Sequence, residues 1–372
     1  MNLPVTAVRL LLITPNFDNN SLGRTYCLWL LACHLGYSVR IVGVKGTQIW
    51  KPLSESRFAA DCFVPTATSS DTVLFDLNQH VRWSEVVIAV KPLPSSFGLA
   101  IHLCNKVGRP LILDIDDPDL EVRTSWLPRY ERMARWALEP RYRQLLRLRR
   151  SIPDFPVMIS NPTLAAMHPG LIVPHVRPSG QERTPTSVAV PTVRYIGSPR
   201  GHKGISQLRT AVGALAERGY RLELTDEKPA DAKPWENWLG LTGIAEGAEL
   251  VAGADIIAVP SLDQGWARAQ LPAKLMDAMM AGRAIVASDL PPIRWALGDC
   301  GLLVRPGNVA DLTAALAQLE SRPLREQLGA AARSRALARY SVEAVAPDFD
   351  SLIHATMSRC SLTSGAGRKD QN

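Results

Sequence analysis

Short apolar runs rich in β-branched residues alternate with stretches of helical periodicity along most of the chain, and near its middle the alternation starts again. In the first half, Val8–Thr14, Ser38–Val44, Val86–Val90, Leu111–Ile115, Val157–Ser160 and Leu171–Val176 read as strands. Helical patterns lie between them, notably Arg24–Leu35, Ser96–Val107 and an arginine-rich stretch over 129–150. Residues 179–191 have the Pro-, Ser- and Thr-rich composition of a linker. Beyond it come strands at Val193–Ile196, Arg221–Thr225, Asp255–Val259, Ala284–Ser288 and Leu302–Arg305. Helices are expected at Ile205–Arg218, Ala273–Ala281, from Val309 to Arg339 and at Ser341–Ser358. The pattern predicts an α/β fold of two doubly wound, Rossmann-like domains with parallel sheets, residues 1–178 and 192–345. A helix over 346–360 is expected to pack back on the first domain, ahead of a polar, disordered tail over 361–372. Ligands of such sheets bind at the carboxyl ends of the strands, and two such domains imply a cleft between them.

Composition narrows the class. A chain of 372 residues with 46% hydrophobic and 21% charged residues can bury two cores. No apolar run approaches the roughly 20 residues of a membrane span. Met1–Leu10 lacks the pattern of a secretion signal. The six cysteines are scattered, which argues against a zinc site or a disulfide framework and for a reducing cytoplasm. The net charge of +7 is concentrated: residues 129–150 hold eight arginines against two glutamates, leaving the rest near neutral. Interleaved Trp126, Tyr130, Met133 and Trp136 make that segment potentially amphipathic. It reads as a solvated helix face, or as a peripheral contact with an anionic membrane surface or acceptor. Nucleic acid is not an expected partner, because one local patch is a small footprint and no recognition module accompanies it.

Two turns of the second half carry phosphate chemistry. Gln270–Gly282 places Pro272 at the start of a helix and Gly282 just past its end. Lys274 and Asp277, three residues apart, then share a face near the positive end of that helix. An ammonium and a carboxylate so placed suit a ligand with a phosphate and a sugar diol; an ordinary surface ion pair is the competing reading. Tyr195–Gly204 reads as strand, glycine-rich turn and helix, with Arg200 and Lys203 in the turn. The spacing is neither a Walker A loop nor a dinucleotide fingerprint.

From Val193 to about Phe349 the chain resembles the donor domain of glycosyltransferase family 4, of the GT-B fold. The resemblance rests on Gly197…Lys203-Gly204, Ala254–Ser261, Lys274–Ser288 and Gly301–Val304, in that order and spacing. The first half matches more loosely, through its opening strand and Gly23 loop, Leu35–Val39 and Ile172–Pro174. The resemblance implies that Lys203 holds the donor diphosphate and that Asp277 is the second acid of an acid–x7–acid motif binding the nucleotide ribose. The first acid of that motif falls at Ala269 and is absent. The arginine that often follows the strand glycine is Ser198 here, with Arg200 as a substitute. Lys274 belongs with variants written Lys-x-x-acid. Gly197, Ser198, Arg200, Lys203, Ile244, Lys274 and Asp277 form the expected donor set.

In the first half, Asp114-Ile115-Asp116-Asp117-Pro118-Asp119 ends an apolar strand. A metal reading of D-x-D is discounted, since the phosphate clamp lies in the other half. The functional alternative is that Asp116 or Asp117 orients or deprotonates an acceptor; turn formation and helix capping compete with it. Gly23, Arg24, Lys91 and Asp114 complete the expected acceptor set. His175 and His202 would flank the cleft, while Trp235, Trp238 and Trp266 read as core or cleft wall.

The resemblance thus implies a retaining, metal-independent transferase without a cofactor, moving a sugar from a nucleotide diphosphate sugar, expected to be a UDP-sugar. The acceptor would be a small molecule, glycan or lipid-linked hydroxyl or amine. Asp116, Asp117, Lys203 and Lys274 are the catalytic candidates. A nucleotide-sugar epimerase or phosphorylase of the same architecture, or a non-catalytic nucleotide-sugar-binding subunit, remains open.

Overall fold

The computed structural model describes residues 7–65, 70–180, 190–197 and 200–366. Most of the expected linker, Ser198 and the last six residues of the tail lie outside that set. The chain forms two compact units, Met1–Val176 with Val345–Asn372, and Arg177–Ala344.

Among the described residues, the first unit contains seven parallel strands: β1 (Arg9–Ile13), β2 (Ser38–Val42), β3 (Cys62–Phe63), β4 (Val86–Val90), β5 (Leu111–Ile115), β6 (Val157–Ile159) and β7 (Leu171–Ile172). Their order is β3-β2-β1-β4-β5-β6-β7. β4, apolar throughout, and β5, apolar but for Asp114, are buried along their whole length, as central strands covered by helices on both faces are. The order reverses between β1 and β4, where Leu10 pairs with Val86, so the loops after these strands flank a switch point. The second unit has β8 (Thr192–Tyr195), β9 (Arg221–Leu224), β10 (Glu236–Trp238), β11 (Ile256–Val259), β12 (Ala284–Ser288) and β13 (Leu302–Val304). Their order is β10-β9-β8-β11-β12-β13, with the switch point between β8 and β11.

Departures from the sequence reading have local causes. β7 stops at Ile172 because Pro174 has no N–H to give the ladder. The edge strand β3 has only two residues and β10 is three residues of mostly polar sequence, so neither carries an alternation pattern. The arginine-rich stretch is two helices, Arg129–Leu138 and Pro140–Ser151, because Glu139 before Pro140 is forced into an extended conformation. The last helix, Val342–Ala366, runs past Ser361, so residues 361–366 are helical rather than disordered; no proline interrupts them. This helix contributes buried Phe349 and Ile353, and the Tyr37 hydroxyl donates to Asp350 at 2.5 Å within the first unit.

Leu275, Met276 and Met279 of the helix Ala273–Met280 are buried in one core with Ala332 and Ala336 of the helix Arg322–Arg339. Gly329 permits that approach: a Cβ there would lie 2.2 Å from the Gly282 carbonyl oxygen. This packing fixes the helix that carries Lys274.

Candidate functional site

The site of the second unit is built at its switch point. Tyr195 ends β8, and Gly197, at φ +111°, turns the chain while its N–H donates to Thr225 Oγ1 at 2.7 Å. A one-turn helix, Gly201–Lys203, follows, then Gly204 at φ +68° and the helix Ile205–Gly213. Only glycine fits at 204, because a Cβ would lie 1.9 Å from the Pro260 carbonyl oxygen. The carbonyl of His202 accepts from Leu262 N–H at 2.9 Å, so His202 contributes its backbone to a loop contact. The loops after β8 and β11 are thereby fastened to each other across the reversal point.

Two lysines converge there. Lys203 Nζ donates to Gln270 Oε1 at 2.7 Å. Lys274, in the first turn of its helix, reaches back to the end of β8, where its ammonium lies 3.3 Å from the centroid of the Tyr195 ring. A Cβ on Gly197 would be 3.3 Å from the same nitrogen, so the glycine leaves room for it. Lys274 Nζ is buried and has no hydrogen-bond partner among the described residues. Burial pushes its pKa well below the ordinary lysine value and the charge of Lys203 pushes the same way, against the pull of Asp277. Arg200 is exposed, with its charge felt at the Tyr195 hydroxyl.

Pro272 is the residue before the helix rather than its first residue. Asp277 does not pair with Lys274: its carboxylate is gripped by Arg177, through Nε to Oδ1 and Nη2 to Oδ2, the latter at 3.1 Å. Sequence reasoning missed Arg177, since no spacing rule joins residues 100 positions apart. The Arg177 backbone also forms a parallel bridge with Ser341. Ile244 begins the helix Ile244–Ala252 on the connection after β10, half-buried. Buried Ala269 offers no polar side chain. Trp235 and Trp238 pack against the core of β8 and β9.

In the first unit, two members of the expected acceptor set are structural. Arg24 and Asp114 have fully buried side chains, joined by contacts of 2.6–3.1 Å. The Arg24 guanidinium also donates to the carbonyls of Val173 at 2.8 Å and Pro174 at 3.0 Å. Burial opposes its charge, but Asp114 overcomes that and raises its pKa above the usual arginine value. An acceptor cannot reach a pair so enclosed; it ties the first helix to β5 and to the segment after β7. Gly23 lies inside the first turn of the helix Leu22–His34, with open space where a side chain would be. His175 is buried beside Cys27, 3.7 Å from its sulfur.

Lys91 is also enclosed rather than facing solvent. At φ +66° it is the one non-glycine residue with positive φ among those described, and it directly follows β4 at the switch point. Its ammonium lies 2.7, 2.8 and 2.9 Å from carboxylate oxygens of Asp116, Asp117 and Asp119. These carboxylates lie within 4.8 Å of one another, a geometry that a divalent cation also accepts. Here Lys91 supplies the positive charge. Burial works against the Lys91 charge, yet the three acids together raise its pKa well above the ordinary value. Asp116 is pushed up to about 7 by burial, against the pull of Lys91. Asp117 is the half-exposed member of the cluster.

With this geometry in view, the likeness to known proteins is informative. Residues 190–322, which contain the glycine turn and both lysines, match the family model of glycosyl transferases, group 1. An MMP α-(1→4)-mannosyltransferase of Mycolicibacterium hassiacum is 33% identical over 174 residues. The aligned region is 42% of this chain and 41% of that relative, less than half of its length. Among solved structures, HepE of Anabaena in complex with UDP and glucose superposes with a TM-score of 0.70 at 12% identity, covering 94% of this chain and 100% of that one. Sucrose-phosphate synthase of Thermosynechococcus elongatus gives 0.68 at 15% identity, covering 95% and 100%. WaaG, a glycosyltransferase involved in lipopolysaccharide biosynthesis, gives 0.61 at 14% identity, covering 93% and 99%. The chain shares their fold: two parallel-sheet α/β domains of the GT-B class.

Proposed function

We propose that the protein is a glycosyltransferase that moves a sugar from a nucleotide diphosphate sugar to an acceptor hydroxyl or amine, with retention and with no resident cofactor or metal. The observation that carries this reading is the buried ammonium of Lys274, which lacks a hydrogen-bond partner among the described residues and sits beside Lys203 at the switch point. An enclosed cation of this kind is costly unless an anion completes it. A diphosphate is the anion that two converging lysines and a glycine turn fit. The UDP and glucose bound by HepE and the mannosyltransferase relative support a UDP-sugar or a related hexose donor.

In the reaction, the bond from the sugar anomeric carbon to the diphosphate oxygen breaks, a bond to the acceptor forms on the same face, and the acceptor proton passes to Asp116 in its base form. Negative charge grows on the departing diphosphate. Lys203, Lys274, Arg200 and the turn at Gly197 offset it. Asp277 takes the ribose hydroxyls after exchanging its contact with Arg177, and Ile244 lies against the base. In the first unit, Asp117 and Asp116 meet the acceptor near Gly23, positioned by Lys91, while Arg24 and Asp114 brace the strands beneath. The setting is the cytoplasm.

A second reading, a nucleotide-sugar binder without transfer activity, is favoured by Ala269, where no carboxylate is available to touch the sugar. Calorimetry with UDP, GDP and their sugars on wild type and Lys274→Met tests the site, and sugar release or transfer then separates the two readings. Absence of any nucleotide diphosphate binding in the millimolar range ends both.

A further inference from the structure

The helix Arg129–Leu138 is oriented against the usual rule for a surface helix. None of its residues is buried. Tyr130, Met133, Trp136 and Leu138 are 76%, 64%, 60% and 79% exposed, and Trp126 just before it is 40% exposed. These are five of the eight large hydrophobic residues exposed among those described. At 100° per residue, Tyr130, Met133, Ala134 and Ala137 share one stripe, flanked by Leu138 and Trp136. The half-buried residues are Glu131 and Arg135 on the other side, joined at 2.6 Å. The polar pair faces inward and the apolar stripe faces water.

The neighbouring helix, Pro140–Ser151, is anchored by buried Tyr142 and Leu148 and carries exposed Arg141, Arg147 and Arg150. Arg129 and Arg132 are exposed as well. Both glutamates of the segment lie against Arg135, at 2.6 and 3.9 Å, so little negative charge remains to offset the other arginines. We propose that residues 126–150 are a docking surface for an anionic lipid bilayer, with the aromatic and aliphatic stripe entering the headgroup boundary and the arginines meeting lipid phosphates. Charge complementarity selects this occupant: a second copy would bring an equally basic face against the first, whereas acidic lipid attracts it. The assignment is independent of the transferase reading.

The test is co-sedimentation of the full chain with vesicles of phosphatidylcholine alone and of phosphatidylcholine mixed with phosphatidylglycerol, with light scattering on the protein by itself. Wild type is expected to bind the anionic vesicles at least about tenfold more strongly, and high salt to weaken that binding. Met133→Asp with Leu138→Asp should reduce binding about tenfold or more, and Arg129→Gln with Arg132→Gln should reduce both affinity and salt dependence. All four side chains are exposed, so circular dichroism should be unchanged. Wild type that stays in the supernatant, binds both vesicles equally, or is unaffected by the double aspartate variant overturns the proposal. A dimer that the aspartate variant dissociates overturns it too, and assigns the face to a second copy.

Discussion

The ammonium of Lys274 lies 3.3 Å from the centre of the Tyr195 ring, stacked on the last residue of β8. The ring face gives it partial compensation only, because among the described residues no oxygen accepts from it. The arrangement is preorganised for an anion and carries the cost of a buried amine until one arrives.

Replacing that amine should therefore separate stability from binding. Lys274→Met keeps the volume and removes the buried amine, so the fold should gain about 1–4 kcal/mol. Affinity for a nucleoside diphosphate should fall roughly 10–100-fold with the loss of one charge-assisted contact. Urea unfolding and calorimetry read the two effects; a variant that loses stability while keeping its affinity would place the anion elsewhere.

The depressed pKa of Lys274 has a consequence for the binding heat. Without ligand the folded chain disfavours the protonated amine; with a diphosphate beside it the protonated form is favoured. Binding should then shift the amine toward its protonated form and favour proton uptake. The apparent enthalpy should vary with the ionisation heat of the buffer, and Lys274→Met should lose that variation. Identical enthalpies in phosphate and Tris would count against a depressed lysine at this position.

The strands most fully legible in the sequence were those buried on both faces. Val86–Val90, Leu111–Ile115 and Ala284–Ser288 match the expected runs residue for residue, because a strand covered on both sides is mostly apolar, and the polar exceptions, Asp114 and Ser288, lie near the carboxyl ends. Gly204 was legible as part of a turn, but its packing against Pro260 was not. Lys203 and Lys274 were legible through local turn chemistry, since each sits where a strand hands over to a helix. What stayed hidden was the pairing of distant side chains. Arg24 with Asp114, Lys91 with its three acids and Arg177 with Asp277 join residues 90, 25–28 and 100 positions apart, which only the folded sheets bring together.

Asp277 is the residue whose role this most affects, because Arg177 holds the carboxylate that a ribose would need. Asp277→Asn should weaken nucleoside diphosphate binding more than Asp117→Asn does. Arg177→Ala should free the carboxylate and raise affinity severalfold, about 1 kcal/mol. If Arg177→Ala lowers affinity instead, Arg177 belongs to the ligand site rather than competing with it. Titration calorimetry on the three variants distinguishes these outcomes.

The Arg24–Asp114 pair makes a contrasting prediction. Removing one partner leaves the other charge buried and alone, so Arg24→Met should cost about 3–5 kcal/mol. Pairing it with Asp114→Leu should recover much of that loss. Any enzyme that remains folded should keep its KM for acceptor, since neither side chain is exposed. Denaturant midpoints for the two single variants and the double variant check the stability ordering.

Asp116 gives the pH dependence. Its carboxyl is raised from 3.8 to about 7 in the folded chain, by burial first, so between about pH 4 and pH 7 the folded state keeps a proton that the unfolded state has released. The folded state thus binds more protons in that window, and this group makes stability fall as pH rises through it. Below pH 4 both states are protonated and the penalty vanishes; above pH 7 it is complete and constant. Asp116→Asn removes this dependence, so its stability relative to wild type should climb by roughly 2–4 kcal/mol between pH 4.5 and pH 8. If the group also handles the acceptor proton, wild-type turnover should rise through pH 7 as the base form appears. A variant-minus-wild-type difference that stays flat across this range, measured by urea unfolding, would mean that Asp116 is ionised throughout and held by Lys91 alone.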